Sequence, residues 1–480
     1  MVRIDMNKNK INMTCLCVSL LLAYSCKSSK YIPQEANVPS EFPQGQTVTI
    51  VDTTNSIGAI SYREFFNDQT LLALIDSALL NNNDLLVAIK QIEIANESMK
   101  QAKWGHIPQI GLTAGTGSVT RPSDNSINGT TAVQATGKRY MEDYSSTLNI
   151  SWEADIWGKI KGRKEIALTS YLQTQEARKA VQTRLVSTIA QGYYNLLMLD
   201  LQKEISLKNL SLIDNVLQMS RVQYTLGLTT LLAVQQQESN RDVVAKTIPV
   251  LEEQITVQEN SLQALVGRMP GQIERRTSLL SLTVKDQLST GIPAEMLALR
   301  PDVRTAELAL QKAVAQVHVS KVSMYPSLNI TAQGGLNAFK ASDWFNIPGS
   351  LFGAVAGSIT QPILQGRQLK TAYNQSILAG EQAEIQFKES VLQAVTEVSN
   401  ILANIASLDE QQTISTGLVQ RNLEMIVNAD QLFKNDMATY IEVITAQQSK
   451  LQSELDNAAL KNQRLLAEVN LYRALGGGRY

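Results

Sequence analysis

Residues 298–330 read ALRPDVRTAELALQKAVAQVHVSKVSMYPSLNI, a helix start, a helix and the opening of a strand in one run. Pro301 fits the first helical position, where its missing N–H is no loss. Asp302 follows in the first turn, where negative charge suits the helix dipole. Arg304 and Glu307, three apart, can pair along one face, and Arg300 lies just outside. In a chain only 18% charged, this cluster invites a reading as a catalytic or phosphate site. The strand that follows argues for a structural corner instead. From Ser327 to Ala338, polar Ser327, Asn329, Thr331, Gln333 and Asn337 alternate with Leu328, Ile330, Ala332, Leu336 and Ala338.

The same corner stands earlier in the chain. AKWGHIPQIGLTAGTG (102–117) aligns with SKVSMYPSLNITAQGG (320–335). SWEADIWGKIKG (151–162) aligns with SITQPILQGRQLK (358–370), setting Gly158 against Gly366 and Lys159 against Arg367. GLTTLLAVQQQ (227–237) aligns with MATYIEVITAQ (437–447), pairing Gln237 with Gln447, and QALVGRMPG (263–271) aligns with RALGGG (473–478). The offsets are 218, 208, 210 and 210 residues. Four matches in one order at nearly one offset mark two copies of a unit of about 210 residues.

Each copy carries a pair of strands. In the first, Ser145, Thr147, Asn149 and Ser151 alternate with Ser146, Leu148, Ile150 and Trp152. Leu351–Thr360 in the second is less clean, because Phe352, Ala354 and Ala356 blur the two faces. Trp104, Tyr144, Trp152, Trp157, Tyr325, Trp344 and Phe345 stand near strand ends. A transmembrane barrel strand needs about 9–11 residues, an apolar outer face and interfacial aromatics; these segments meet all three conditions. The Ser/Asn/Gly/Pro-rich stretches 121–139 and 339–350 read as hairpin loops.

The helices have matched lengths. Arg163 to Leu226 holds 64 residues without proline, about 96 Å of helix. Leu185, Ile189, Gly192, Leu196 and Leu199 step at heptad spacing, which implies side-by-side supercoiled packing. After the turn at Gly227–Thr230 a second helix returns to Leu265, with Pro249 expected to kink it. A third helix is expected over Gln69–Trp104. In the second copy, Gly366–Asp436 faces Ile441–Leu475 and Pro301–Val322. Such lengths make a rod or tube rather than a globule. Four strands cannot close a barrel, for which about eight is the practical minimum, and open strand edges are not viable in lipid. Several copies must therefore pool their strands.

Arg3, Lys8 and Lys10 precede MTCLCVSLLLA (13–23), a run too short to span a bilayer, so residues 1–25 read as a signal peptide. It ends in AYSC, which resembles a bacterial lipobox and makes Cys26 the expected lipidated N-terminus. Cys15 and Cys17 lie inside the signal, so Cys26 is the one cysteine left and no internal disulfide is expected. Residues 26–64 read as a lipidated tether, and no later run is apolar enough for a transmembrane helix. A net charge of −1 makes no electrostatic case for nucleic acid. His106 and His318, the only histidines, cannot form a His-rich metal site. No nucleophile or nucleotide motif appears in the right context, so neither an enzyme nor a cofactor is expected.

FFNDQTLLALIDSALLNNNDLLVAI (65–89), residues 298–330, SWEADIWGKIKG and ENSLQALVGRMPG (259–271) resemble the TolC family of outer-membrane efflux factors, in its lipoprotein (OprM- and NodT-like) branch. The resemblance runs from about residue 31 to the C-terminus. It implies a mixed α and β membrane protein, a homotrimer with a 12-stranded outer-membrane β-barrel (four strands per chain) continued by a long α-helical periplasmic barrel. It implies a periplasmic adaptor (membrane fusion) protein and an inner-membrane pump of the resistance-nodulation-division type as partners. The activity implied is a passive, gated conduit that exports drugs, metals or other small molecules.

The resemblance also points to the tip turns. It places Glu442 where the family often has an acidic pore residue, and Ala233 where some relatives carry a gate aspartate. Asp436, Tyr440 and Glu442 are the candidate gate-lining residues; a threefold axis would make even one acid a ring. Gly227, Leu228, Thr229, Met437, Ala438 and Thr439 are the candidates for meeting the adaptor. On this reading the first repeat spans 65–271, with a β-hairpin near 107–154 and a helical hairpin over 163–265. An equatorial linker covers 272–297. The second repeat spans 298–475, with a β-hairpin near 326–363 and a helical hairpin over 366–475, and 476–480 form a tail. The rival reading is a periplasmic coiled-coil adaptor or structural lipoprotein with a soluble sandwich, but an adaptor has one helical hairpin and no barrel.

Overall fold

A computed structural model describes residues 57–284, 298–435 and 437–478. The expected signal segment, Cys26 and Asp436 lie outside them. Four short or medium helices and strands come first: α1 (Tyr62–Phe65), α2 (Gln69–Asn81), α3 (Asn83–Trp104) and β1 (Gln109–Thr120). Then follow α4 (Ile127–Thr136), β2 (Met141–Ala154), α5 (Lys159–Thr225) and α6 (Leu231–Leu265). The second half holds α7 (Pro301–Val322), β3 (Ser327–Ala338), β4 (Leu351–Thr360), α8 (Gln368–Lys434) and α9 (Tyr440–Ala474).

The duplication is visible in the lengths. α5 and α8 each have 67 residues, α6 and α9 each 35, and α3 and α7 each 22. At about 1.5 Å per residue the two long helices run about 100 Å. The heptad positions of α5 are inside as expected: Leu185, Ile189, Leu196 and Leu199 are buried, and a side chain at Gly192 would meet Leu262 of α6 at 2.8 Å. Pro249 sits inside α6 without ending it. One window of α8 is apolar enough on composition to cross a membrane, but its buried Val391, Ala394, Val398 and Leu402 pack with Val303 of α7 and Leu471 of α9.

Two expectations fail locally. The single helix over Gln69–Trp104 is broken at Asn82, where α2 and α3 meet at a bend of 42°. Asn82 has extended backbone; its Oδ1 accepts from the Leu85 N–H and its Nδ2 donates to the Leu265 carbonyl. A helix cap and a tertiary anchor together outweigh one more turn of helix. The stretch 121–139, read as a loop, contains α4, whose N-cap Ser126 accepts from the Gly129 N–H and whose C-cap Gly137 takes φ +70°.

Arg300 is not a bystander. It is buried at the N-cap of α7, with Nη1 donating to the Ala474 carbonyl at 2.8 Å and Nη2 2.7 Å from both Asp302 and Glu397. Arg473 reaches the same Glu397 at 2.5 Å. The corner thus ties the start of α7 to the end of α9 and the flank of α8. Nearby, Phe65 stacks on Tyr472 with ring centroids 4.1 Å apart, and the Tyr472 hydroxyl donates to the Ile60 carbonyl. The Arg304–Glu307 pair forms as its spacing suggests.

The strands make one antiparallel sheet in the order β1-β2-β3-β4. Its register puts Ile110 opposite Ile150, Leu112 opposite Leu148, Trp152 opposite Ile330, Ala332 opposite Val355 and Leu328 opposite Ile359. Directly opposed residues share a face, so these form the apolar side. Phe352, Ala354 and Ala356 oppose Gly335, Gln333 and Thr331 and so belong to the polar side, which resolves the ambiguity of β4. A one-residue bulge between Thr113 and Thr116 re-phases β1, bringing Val119 to the apolar face with Ile110 and Leu112.

A Cβ at Gly335 of β3 would lie 1.9 Å from the Ser146 carbonyl oxygen of β2. Gly335→Ala is expected to abolish folded sheet, read as loss of heat-modifiable migration in gels, whereas Gly357→Ala, with nothing within 4 Å, leaves it intact. Arg300→Ala removes a buried charge that three groups share. It is expected to cost on the order of 2–3 kcal/mol, below the full buried-pair value because Glu397 keeps Arg473, and to lower the thermal midpoint of the purified protein.

Candidate functional site

Two regions carry the features that a working surface needs, the sheet and the far ends of the long helices. On the sheet, the apolar face stays open: Leu112, Val355 and Ile359 are 74%, 80% and 76% exposed. The opposite face presents Thr147, Asn149, Ser151, Asn329, Thr331 and Gln333, with Asn337 donating to the Asp143 carboxylate at 2.7 Å. Aromatic pairs mark both ends. At the loop end Trp344 stacks on Phe345 and tilts against Tyr144; at the helix end Trp157 meets Tyr325 edge-on at 5.2 Å and donates to the Pro326 carbonyl. Among the described residues, β1 and β4 each have one unpaired edge.

Where strands become helices, the polar face opens into a hollow of about 460 Å³ bordered by Gln101, Ser151, Glu153, Arg163 and Asn329. Lys159 pairs with Glu153 there at 2.8 Å. Among the described residues, no group of three or more His, Cys, Asp or Glu side chains stands close enough to hold a metal.

At the far ends, both helical hairpins turn in a few residues. In the first, Gly227 takes φ +74°, and the Gly227 and Leu228 N–H groups donate to the Tyr224 and Gln223 carbonyls, closing α5. Thr230 then caps α6 by accepting from the Ala233 N–H. Leu228 is 73% exposed and Ala233 is buried. In the second, the Met437 N–H donates to the Leu432 carbonyl, and Thr439 and Glu442 form a capping box. The Glu442 carboxylate accepts from the Thr439 N–H at 2.5 Å and from its hydroxyl at 3.1 Å. Of the candidate gate residues, then, Glu442 is exposed but engaged by its own helix start, Tyr440 is half-buried, and Asp436 is outside the described residues. A groove of about 570 Å³ runs beside the turn between α8 and α9, bordered by Met425, Leu432, Ile441, Glu442 and Thr445.

Sequence reading missed the residues that fasten these hairpins. Arg221 pairs with Glu238 at 2.7 Å and Arg241 with Asp214 at 3.1 Å, joining α5 to α6. Asn240 of α6 meets Gln447 and Gln448 of α9, and Lys450 of α9, buried, bonds Asn209 of α5 and Glu454. Charge pairing within one hairpin follows from folding the chain at Gly227. The contacts between hairpins span more than 200 residues of sequence and leave no local sign.

Comparison with known proteins agrees with this geometry. The sequence pattern of a family described as "Outer membrane efflux protein" matches residues 74–268 and again residues 292–477, one match per repeat. The chain is 26% identical over 467 residues to the cation efflux system protein CusC of Escherichia coli K12, covering 96% of this chain and 98% of CusC. It is 26% identical over 463 residues to the toluene efflux pump outer membrane protein TtgC of Pseudomonas putida (94% and 92%). It is 27% identical over 416 residues to the pyoverdine export outer membrane protein OpmQ of Pseudomonas aeruginosa (86% of each). Among solved structures, CusC superposes with a TM-score of 0.82 at 24% identity, covering 94% of this chain and 99% of that one. The outer-membrane channel OprN superposes with a TM-score of 0.85 at 18% identity, covering 95% and 100%.

The capping box separates structural from electrostatic roles at the second tip. Thr439→Ala loses a cap, at a cost of about 1 kcal/mol, and is expected to raise limited proteolysis across residues 435–442 several-fold. Glu442→Gln keeps an acceptor for the Thr439 N–H and is expected to leave cleavage unchanged.

Proposed function

Since this chain belongs to the outer membrane efflux protein family, it is an outer-membrane efflux component, and we propose that three copies form the gated outer-membrane conduit of a tripartite pump. The observation that carries this reading is the sheet: four strands, two unpaired edges, one apolar and one polar face. Backbone groups along an open edge cannot stay unpaired in hydrocarbon. Three sheets joined edge to edge give a twelve-strand barrel, with the apolar faces outward and the polar faces lining a pore. The long helices, sharing the strands' ends, continue that wall into the periplasm.

The conduit is passive. Its energy comes from an inner-membrane pump of the resistance-nodulation-division type, reached through a periplasmic adaptor. The adaptor meets the two tip turns, Gly227–Thr229 and Met437–Thr439. Asp436, Tyr440 and Glu442 line the closed end, where threefold symmetry turns each acid into a ring that favours cations. Lipid on Cys26 adds an anchor at the membrane. The cargo is a small molecule. Relatives at 26–27% identity are named for cations, toluene and pyoverdine, a spread that fits a wall with little selectivity and a choice made at the pump.

Purified full-length protein in planar bilayers is expected to run as an SDS-resistant, heat-dissociable trimer and to show discrete conductance steps. Glu442→Gln is expected to weaken cation preference without changing trimer yield. A soluble monomer in the periplasmic extract would overturn the conduit. Separately, Cys26→Ala is expected to abolish palmitate labelling in cells, and unchanged labelling would rule out the anchor.

A further inference from the structure

The two ends of the sheet differ in charge. The loop segments 121–143 and 339–350 hold four basic and four acidic residues, and Arg139–Asp124 and Lys138–Glu142 pair among them. At the helix end, segments 97–108, 153–165, 321–326 and 361–370 hold nine basic residues against four acidic. Most of those acids are occupied. Glu97 pairs with Lys100 at 2.6 Å, Glu153 with Lys159 at 2.8 Å, and both Asp155 oxygens accept from the Ile160 and Lys161 N–H groups. The excess positive charge is therefore not neutralised within the described residues.

Helix geometry says which way it points. At the start of α5, Ile160 packs under Gly105 and Gly162 against Val319 of α7, so α5 is wedged between neighbours and has two open sides. At about 100° per residue, Lys161 and Lys164 share one open side, with Glu165 beside them. Arg163 falls on the other side, where it borders the hollow with Glu153 and Asn329. In α3, Gln101 borders that same hollow and Lys103, about 200° further round, stands on the opposite side. Lys321 on α7 is the second-repeat counterpart of Lys103. A row of lysines thus crosses α3, α5 and α7 on the side away from the polar hollow, which is the side continuous with the sheet's apolar face.

Just above that row lie Trp104, Ile156, Trp157, Ile363 and Leu364, all exposed, the last two at 86% and 93%. Aromatic and aliphatic side chains at the end of a membrane-facing sheet mark the depth at which hydrocarbon gives way to headgroups. Lysines one turn further out can lay their methylene stems along that layer and place the ammonium among phosphates.

We propose that Lys103, Lys161, Lys164 and Lys321 form a basic collar that binds anionic phospholipid headgroups of the leaflet at the helix end of the barrel. The collar rests on the reading of the sheet as an outer-membrane barrel. Charge decides the occupant: the balanced loop end offers anionic lipid no advantage, whereas each lysine held near a headgroup layer strengthens binding several-fold.

The test is native mass spectrometry of the full-length trimer in nonionic detergent, with phosphatidylglycerol and phosphatidylethanolamine added in equal amounts. Wild type is expected to retain phosphatidylglycerol about tenfold over phosphatidylethanolamine, with the preference falling as salt rises. The combined K103Q, K161Q, K164Q and K321Q variant is expected to reach near parity while still forming heat-dissociable trimers, and R163Q to behave as wild type. An intact wild-type trimer with no preference, or a fourfold variant that keeps it, would overturn the collar alone. A wild-type chain that is a soluble monomer would overturn the barrel and the collar together.

Discussion

The unpaired edges of β1 and β4 constrain everything else in this chain. Each edge presents a row of N–H and C=O groups, and each such group left bare in hydrocarbon costs several kcal/mol. No rearrangement of four strands removes that cost, because a four-stranded sheet cannot curl onto itself. Only another copy can supply the missing partner. The equal lengths of α5 and α8, α6 and α9, and α3 and α7 follow from the same demand. Strands that must meet a neighbour's strands at one stagger need supports that end at one height, and a duplicated unit provides them.

Much of this was legible in sequence because it rests on periodicity. The limits of α7, β3 and β4 could be read from the chain, since Pro301 opens a helix, Pro326 precedes a strand, and side-chain alternation has a period of two. What could not be read has a common cause in tertiary contact. Asn82 breaks a helix that its neighbours would continue, because its amide finds the Leu265 carbonyl 183 residues away. Phe352, Ala354 and Ala356 look like members of an apolar face until register sets them opposite Gly335, Gln333 and Thr331. Arg300 looks like a flanking charge until the ends of α9 and α8 arrive beside it.

The tips show the same division. Gly227 and the Thr230 cap are local signals with local geometry, so a turn was readable there. The fastening between hairpins was not. Asn240 with Gln447, and Lys450 with Asn209, are polar groups buried where a heptad pattern would place apolar ones. Gln237, repeat-mate of Gln447, is wholly buried and its amide has no partner. Buried polar contacts of this kind rigidify a fold when fully satisfied and are costly when half-satisfied. They fall just above the turns, beside a small apolar cluster of Val216, Ala429, Val443 and Ala446, while the larger cluster around Ile189, Tyr193, Leu196 and Tyr472 lies far up the helices. The tips thus combine a small apolar cluster with buried polar contacts, where the middle of the rod holds a larger apolar core.

Duplication also leaves an asymmetry that bears on function. The two tips occupy equivalent places in their repeats, yet only the second carries an acid in its first helical turn; the first has Ala233, buried, near that position. In the proposed trimer the two kinds of tip alternate, so an acid in the first helical turn stands at every second tip. The Glu442 carboxylate accepts from the Thr439 N–H and hydroxyl, which fixes its place at its own helix start. In the proposed conduit one residue thereby serves both the turn and the charge at its mouth. A substitution that removes the side chain alters both at once, and only a change that preserves the hydrogen bond while removing the charge can tell them apart.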